Sequence, residues 1–350
     1  MYFSSLILRN VQARETAKKR AHSALLILFS CSFWLLSALA QSGLTHDSVK
    51  QRGYVNCGIH SSLPGLSIRD AGSWAGLEVD FCRAVAAAVL GDSQRVKFVE
   101  LPISLGYTSL QSGEIDLLMR HSDWNLSIES TLGLVFGGAL YYEYKTFLVG
   151  TESSIMVAGD LEGATVCVDD SRDDQVHLEN YTRKHKITLD IKTMPSLGSA
   201  AKSFELDQCK ALVADASELF AARLSMGPEN PTRTLDQAIH IRATGPVLRQ
   251  NDTQWHMIVR WVLQILLLAE QLDIEGDQKN QESVELLATT GFKGVSWGLR
   301  ANWHQNIISQ VGNYEQLFHR NLGNNSPLKM PRVFNRLSVN GGLHVLPLLD

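Results

Sequence analysis

Gly76-Leu77-Glu78-Val79-Asp80-Phe81-Cys82-Arg83-Ala84-Val85-Ala86-Ala87-Ala88 reads as the opening of a helix. Phe81, Val85, Ala88 and Val89 recur at helical spacing and form one apolar face, and Gly91-Asp92 stops the run. Both flanks are strand-like. Upstream, residues 54–59 form a short apolar strand that ends in the turn-rich Ser61-Ser62-Leu63-Pro64-Gly65. Downstream, residues 96–101 alternate as a strand and residues 107–110 are helical. Gly113 caps that helix before a further strand over 115–119. A strand–helix–strand–helix–strand rhythm predicts a mainly parallel sheet covered by helices, an α/β fold.

The same rhythm restarts in the middle of the chain. A strand over 164–168 leads to a helix over 175–184 and a strand over 188–192. A helix over 200–206 and a strand over 210–214, ending at Asp215, follow. Two such units predict two similar lobes rather than one long sheet. From Thr253 onward the pattern changes. Trp255, Ile258, Val259, Trp261, Val262, Ile265, Leu266 and Ala269 fit a long apolar helix, interrupted by His256, Arg260 and Gln264. A buried packing helix fits those interruptions better than a membrane span. Residues 307–319 and 332–337 are read as helical and finish the chain.

The first forty residues differ from the rest. Arg9, Arg14, Lys18, Lys19 and Arg20 form a basic stretch countered only by Glu15. An uncharged apolar run follows and closes on Ala38-Leu39-Ala40, the small-x-small pattern of a signal-peptidase site. Residues 1–40 are therefore expected to be a signal peptide cleaved near Ala40; the rival reading is a membrane anchor. Without Cys31, four cysteines remain, Cys57, Cys82, Cys167 and Cys209, and an even number in an exported chain suggests disulfides. Sequence order favours Cys57 with Cys82 and Cys167 with Cys209, one pair per lobe. Each would stabilise by roughly 3 kcal/mol in the chain-entropy picture. Zinc is the rival, but no two cysteines stand at metal-motif spacing. A net charge of -4 over 350 residues, with no basic stripe, argues against nucleic acid.

Several stretches are distinctive in combination: Cys57-Gly58, the helix opening at Gly76, Leu110-Gln111-Ser112-Gly113-Glu114-Ile115-Asp116, Leu132-Gly133-Leu134-Val135-Phe136 and Gly245-Pro246-Val247-Leu248-Arg249. Val311-Gly312-Asn313-Tyr314, Arg320-Asn321-Leu322-Gly323, Ser326-Pro327-Leu328-Lys329 and Gly341-Gly342-Leu343 complete the set. In this order, over about residues 48–348, the chain resembles the periplasmic general L-amino-acid-binding proteins of ABC transporters, within the polar-amino-acid solute-binding family. The resemblance implies a type II periplasmic-binding-protein fold, its two lobes joined by two hinge strands with the ligand clamped between them. Lobe one would hold 45–148 and 244–350, and lobe two 149–243. Tyr144-Lys145-Thr146-Phe147-Leu148-Val149 and His240-Ile241-Arg242-Ala243 would be the crossings. It further implies a periplasmic, non-enzymatic protein that delivers an amino acid to an ABC-type membrane permease, with no cofactor or metal.

An amino-acid zwitterion needs a cation for its carboxylate, best an arginine fork, and an anion for its ammonium. The resemblance places the ligand against Arg120, Ser122, Asp123 and Trp124 of one lobe; His60 and Leu66, on the first-strand loop, could line the cleft or take surface or core positions. It places Asp215 in the other lobe, where Arg172 could supply a replacement cation. Asp215 would take the ammonium, with helix N-capping as its rival role. Arg120 could instead pair with Asp123, Trp124 could be a core residue, and Arg172 could be a solvated partner of its aspartates. The pattern departs from the family at two places. Ile128 stands where the family's carboxylate-binding arginine belongs. Asp169-Asp170-Ser171-Arg172-Asp173-Asp174 replaces a glycine- and hydroxyl-rich anion-binding turn. Two rival functions follow: a sensor or partner-docking module with altered or lost amino-acid binding, and a dehydratase-like enzyme on the same scaffold using His121, Asp123 and Glu129.

Overall fold

A computed structural model describes residues 44–170, 173–275 and 294–348. The expected signal peptide and Arg172 lie outside the described residues. β1 (Val55–Ile59) is followed by the small antiparallel trio β2 (Ser62–Leu63), β3 (Ser67–Asp70) and β4 (Ser73–Ala75). Next come β5 (Val96–Glu100), β6 (Leu117–Met119), β7 (Leu134–Phe136) and β8 (Tyr141–Gly150). The later strands are β9 (Thr165–Asp169), β10 (Asp190–Met194), β11 (Ala211–Asp215), β12 (Thr232–Thr234), β13 (His240–Thr244) and β14 (Val247–Arg249).

They build two mixed sheets flanked by helices, one per lobe. The first has the order β5-β1-β6-β14-β7, and the second β10-β9-β11-β8-β12 with β13 also on β8. The expected parallel pairing forms one half of each sheet. β1 runs parallel to β5 and β6, and β9 runs parallel to β10 and β11. The other half is antiparallel, because β14 and β8 are strands that enter each sheet from the other one and run against their neighbours. The first half of β8, from Tyr141 to Tyr144, pairs with β13 from Thr244 to Ile241, and this two-stranded ribbon links the sheets. From Lys145 onward β8 also pairs with β11, and further along with β12.

Local chemistry explains the first lobe. Gly58 in β1 has Ile115, Leu101 and Leu118 packed against its Cα, so any side chain there would collide with them. Gly76 starts the helix Leu77–Leu90 at φ 132 with its Cα against the Leu66 carbonyl, a backbone that favours glycine. That helix is buried along most of its length and ends at Gly91 in the left-handed conformation. A disulfide ties its Cys82 to Cys57 of β1, with Cα atoms 6.3 Å apart. The second bond joins Cys167 of β9 to Cys209 ahead of β11, with Cα atoms 5.7 Å apart. Both pairings are those favoured by sequence order.

The long helix is Thr253–Gln271, N-capped by Asp252, which accepts a hydrogen bond from the Trp255 amide at 3.0 Å. It packs on the helices Leu77–Leu90 and Trp303–Val311. Among the described residues no helix is long and apolar enough to cross a membrane. The expected helix over 307–319 is two helices, Trp303–Val311 and Tyr314–Asn321. Gly312 at φ 97 ends the first, and Asn313 caps the second by accepting from the Gln316 amide at 2.9 Å. The expected helix over 332–337 is a single 3-10 turn, Val333–Asn335, around Val333 at φ 34. β6 is shorter than the expected 115–119, and β10 starts two residues later than 188.

Candidate ligand cleft between the two sheets

The loop after β6 is fastened to the ribbon. Asp123 bridges to Thr244, the Trp124 amide donates to the Ala243 carbonyl at 3.0 Å, and the Gly245 amide donates to the Ser122 carbonyl at 3.1 Å. Across from it stand the ends of β9 and β11. Between them lies a cavity of about 490 Å³, lined by Asp123, Trp124 and Asn125 from the loop, and by Lys145, His240 and Arg242 from the ribbon strands. Asp173, His177 and Asp215 complete it from the second lobe. Charged groups carried by three separate elements therefore converge on one space, the usual makeup of a polar ligand site.

Asp215 is at the centre. It is 2% exposed, and both its oxygens meet cations: Oδ1 accepts from Lys145 Nζ at 2.8 Å, and Oδ2 pairs with Arg242 Nη2. Burial alone would raise its pKa; the Arg242 and Lys145 charges override burial and bring it down to about 2. Its side chain makes no capping hydrogen bond to the helix Ala216–Met226 and is turned instead to Lys145 and Arg242. Lys145 is also buried and bonds Asp174 as well as Asp215. Burial works to lower its pKa, and the two aspartates more than compensate and raise it. Arg242 joins Asp215 through Nη2 and Asp123 through Nη1. His177 and His240 stack with ring centroids 3.9 Å apart, and burial lowers the His240 pKa, helped by the neighbouring His177.

Beneath the cavity a second polar chain crosses between the lobes. His121, at φ 58, donates its amide to Glu78 at 2.5 Å and places Nε2 3.1 Å from Glu143. Glu143 is fully buried in β8 and accepts from Ser217 Oγ at 2.5 Å, at the start of the helix Ala216–Met226. Burial would lower the His121 pKa, and the Glu143 hydrogen bond and charge raise it. His121, Glu143 and Asp215 bring one ligand atom each within 4.8 Å of one another, a spacing a metal ion could span. Arg242 already holds one Asp215 oxygen and Lys145 the other, so a second cation there meets their charge.

The predicted site residues divide. Asp123, Trp124 and Asp215 line the cavity together. Trp124 is 65% exposed and stacks on Phe136 at 5.7 Å, so it is a wall and not a core residue. Arg120, Ser122 and His60 are not among the cavity's lining residues. The Arg120 guanidinium lies 4.9 Å over the Tyr107 ring, Ser122 is buried, and His60 Nδ1 accepts from the Ser62 amide at 3.1 Å. Ile128 is 6% exposed and packs with Leu110, Leu118 and Leu134. The three residues considered as an acid/base set turn apart: Glu129 accepts from the Phe136 amide, His121 turns to Glu143 and Asp123 to Arg242. Lys145, Arg242, His177 and His240 were not singled out as site residues from sequence. Charged residues inside strands must be paired when buried, but the partners of Lys145 and Arg242 are distant in sequence.

A second cavity of about 470 Å³ is more apolar, with Leu63, Pro64 and Leu66 facing Leu197, Ala201 and Met226. Leu66 lines this one, not the polar cleft.

Comparison with protein-family models gives no match. Individual proteins do match. Escherichia coli K12 has a protein named "Putative amino-acid ABC transporter-binding protein YhdW" that is 37% identical over 317 residues, 88% of this chain and 93% of that one. The general L-amino acid-binding periplasmic protein AapJ of Rhizobium johnstonii is 33% identical over 322 residues, 89% of this chain and 94% of AapJ. This chain belongs to the amino-acid solute-binding proteins of ABC transporters. A solved periplasmic binding protein of an ABC transporter from Brucella ovis, with glutathione bound, superposes with a TM-score of 0.73 at 32% identity. That match covers 87% of this chain and 99% of the Brucella chain. The family fold is the two-lobed type II periplasmic binding fold, and these relatives are named as binding proteins of transporters, not as enzymes.

Proposed function

We propose that the protein captures a small polar solute, an L-amino acid in the first instance, in the 490 Å³ cavity and delivers it to an ABC-type permease. The observation that carries this reading is the Asp123–Arg242–Asp215–Lys145 chain. It sets acids and cations side by side across two lobes and their ribbon, a surface complementary to a zwitterion. Ligand that touches both lobes favours their closed arrangement by its differential affinity. The charge pair in the apolar cavity, Lys202 with Glu205, lies within one helix rather than across the lobes, so the polar cavity is the better seat for a polar ligand. In this reading the protein binds and does not catalyse, in keeping with relatives that are named as binding proteins of transporters. It works in the periplasm after cleavage of its first forty residues near Ala40.

The division into lobe one, 45–148 and 244–350, and lobe two, 149–243, runs through the ribbon of β8 and β13, with β8 from Lys145 onward already paired into the second sheet. Asp123, Trp124 and Asp215 line the cavity the ligand would enter, while Arg120, Ser122 and His60 stand outside its lining and Arg172 lies outside the described residues. Calorimetric titration with the twenty amino acids and glutathione tests this reading. Saturable heat with a more compact scattering profile is expected, and Asp215→Ala should abolish it. The rival is a docking module that has lost its solute, favoured by the fact that both cavity cations already have protein partners. Absence of binding by every compound, from a folded protein, would establish that rival.

A further inference from the structure

We propose that Arg242, on the ribbon strand β13, is the clamp for the ligand's carboxylate, and that Asp123 occupies its fork as a surrogate until a ligand displaces it. This rests on the solute-capture reading above and names the residue that performs it. Among the described residues two cations line the cavity, and their partners differ. Lys145 is held by Asp174 and Asp215, whose side chains are 0% and 3% exposed, so neither acid can leave without stranding a buried charge. Arg242 has one partner of that kind, Asp215, and one of another kind. The Asp123 side chain is 45% exposed and belongs to a loop. A half-exposed ion pair contributes little and is easily exchanged.

The guanidinium geometry suits the exchange. Arginine presents five N–H donors in one plane. Asp215 takes Nη2 from one side and, with Lys145 behind it, fixes the plane; Asp123 takes Nη1. When Asp123 swings into solvent, a ligand carboxylate can accept from the freed donors without disturbing Asp215. The swap replaces one carboxylate by another, so the charge beside Arg242 is unchanged and no buried ion is left alone. Asp173, which lines the same cavity, offers an acid for an ammonium nearby. Ile128 cannot serve as the clamp, since its side chain is packed in an apolar cluster. The ligand class that fits is a molecule with a free carboxylate close to an ammonium. A carboxamide of the same molecule loses the clamp.

The test compares the wild-type protein, Arg242→Gln, Arg242→Lys and Asp123→Asn by calorimetry. The probes are L-glutamine, L-arginine and L-leucine, each beside its α-carboxamide. For whichever acid binds, the wild type should bind the amide about ten- to hundredfold more weakly, the scale of a charge-assisted hydrogen bond. Arg242→Gln should bind the acid that much more weakly and lose nothing further with the amide, because both changes remove one interaction. Arg242→Lys keeps the charge without the fork and should fall in between. Asp123→Asn removes the surrogate and should bind the acid several-fold tighter, roughly the value of an exposed pair. Unfolding midpoints establish that each variant is folded; should Arg242→Gln not fold, Arg242→Lys and Asp123→Asn decide. Equal loss of acid and amide in either arginine variant, or weaker acid binding by Asp123→Asn, overturns the clamp while leaving solute capture standing. If none of the three acids binds the wild type, and the wider panel fails as well, solute capture itself falls and the clamp with it.

Discussion

The two lobes bury their interiors differently. On one face the first sheet shares a large apolar cluster with the helices Leu77–Leu90, Thr253–Gln271, Trp303–Val311 and Tyr314–Asn321, and on the other it has a smaller cluster around Leu110, Leu118 and Val247. The second sheet has a separate, smaller cluster on each face: Phe147, Val166 and Val213 on one, Leu148, Cys167 and Leu212 on the other. Alternation along β8, β9 and β11 produces this split, because successive side chains of a strand point to opposite faces. A large core stabilises one lobe through packing. The other has less apolar surface to bury and gains relatively more from a covalent tie. Trp255 tests the first half of that contrast. It is 1% exposed and its Nε1 donates to the Asp116 carbonyl at 2.9 Å. Trp255→Ala should destabilise the protein by about 3–5 kcal/mol, read from denaturant unfolding. A loss under about 1 kcal/mol would mean that the shared core is not what holds the first lobe.

The disulfides test the second half. Cys167 and Cys209 are 42 residues apart, and Cys57 and Cys82 are 25 apart. Removing the former pair as Cys167→Ser with Cys209→Ser should cost about 3–4 kcal/mol, and removing the latter slightly less. Thermal unfolding of the two double variants gives the ranking. The opposite ranking would show that the second lobe does not depend on its tie more than the first. Intact-mass measurement after thiol blocking should find no free thiol among these four cysteines.

Much of the scaffold was legible because punctuation and periodicity agreed. Gly76, Gly91 and Gly113 bracket their helices as read, and the strand ends fall within a few residues of expectation. Residues 307–319 misled because their apolar spacing runs on past Gly312, whose positive φ decided the matter, while the cap formed by Asn313 and Gln316 was overlooked. The cleft was legible only in part, at Asp123, Trp124 and Asp215. Asp215 could be placed because it closes a strand, where side chains of an α/β sheet reach the crevice. Lys145 and Arg242 could not be ranked as site residues, because their significance lies in partners 27 to 119 residues away in sequence. Burial is a property of the folded partners and leaves no local pattern.

The smallest effect concerns the strap by which the first lobe's tail holds the ribbon. Asn335 brackets Tyr142 of β8, accepting from its amide at 2.7 Å and donating to its carbonyl at 3.0 Å. His344 is 3% exposed and packs edge-on to Tyr142 and Tyr314, with centroids 4.9 and 4.6 Å away. Burial, with the Arg332 charge adding to it, lowers its pKa from 6.5 to about 3. A histidine whose pKa is depressed on folding takes up its proton more readily when unfolded. Its contribution is therefore intact above pH 6.5 and is lost as pH falls towards 3. At pH 5 the linked loss is about 2 kcal/mol. His344→Phe keeps the ring and removes the titration, so the stability of wild type relative to this variant should drop by about that amount between pH 7.5 and pH 5. The second lobe has no part in this difference, so an unchanged difference across that range would detach the tail from the acid response and leave the strap a packing contact alone.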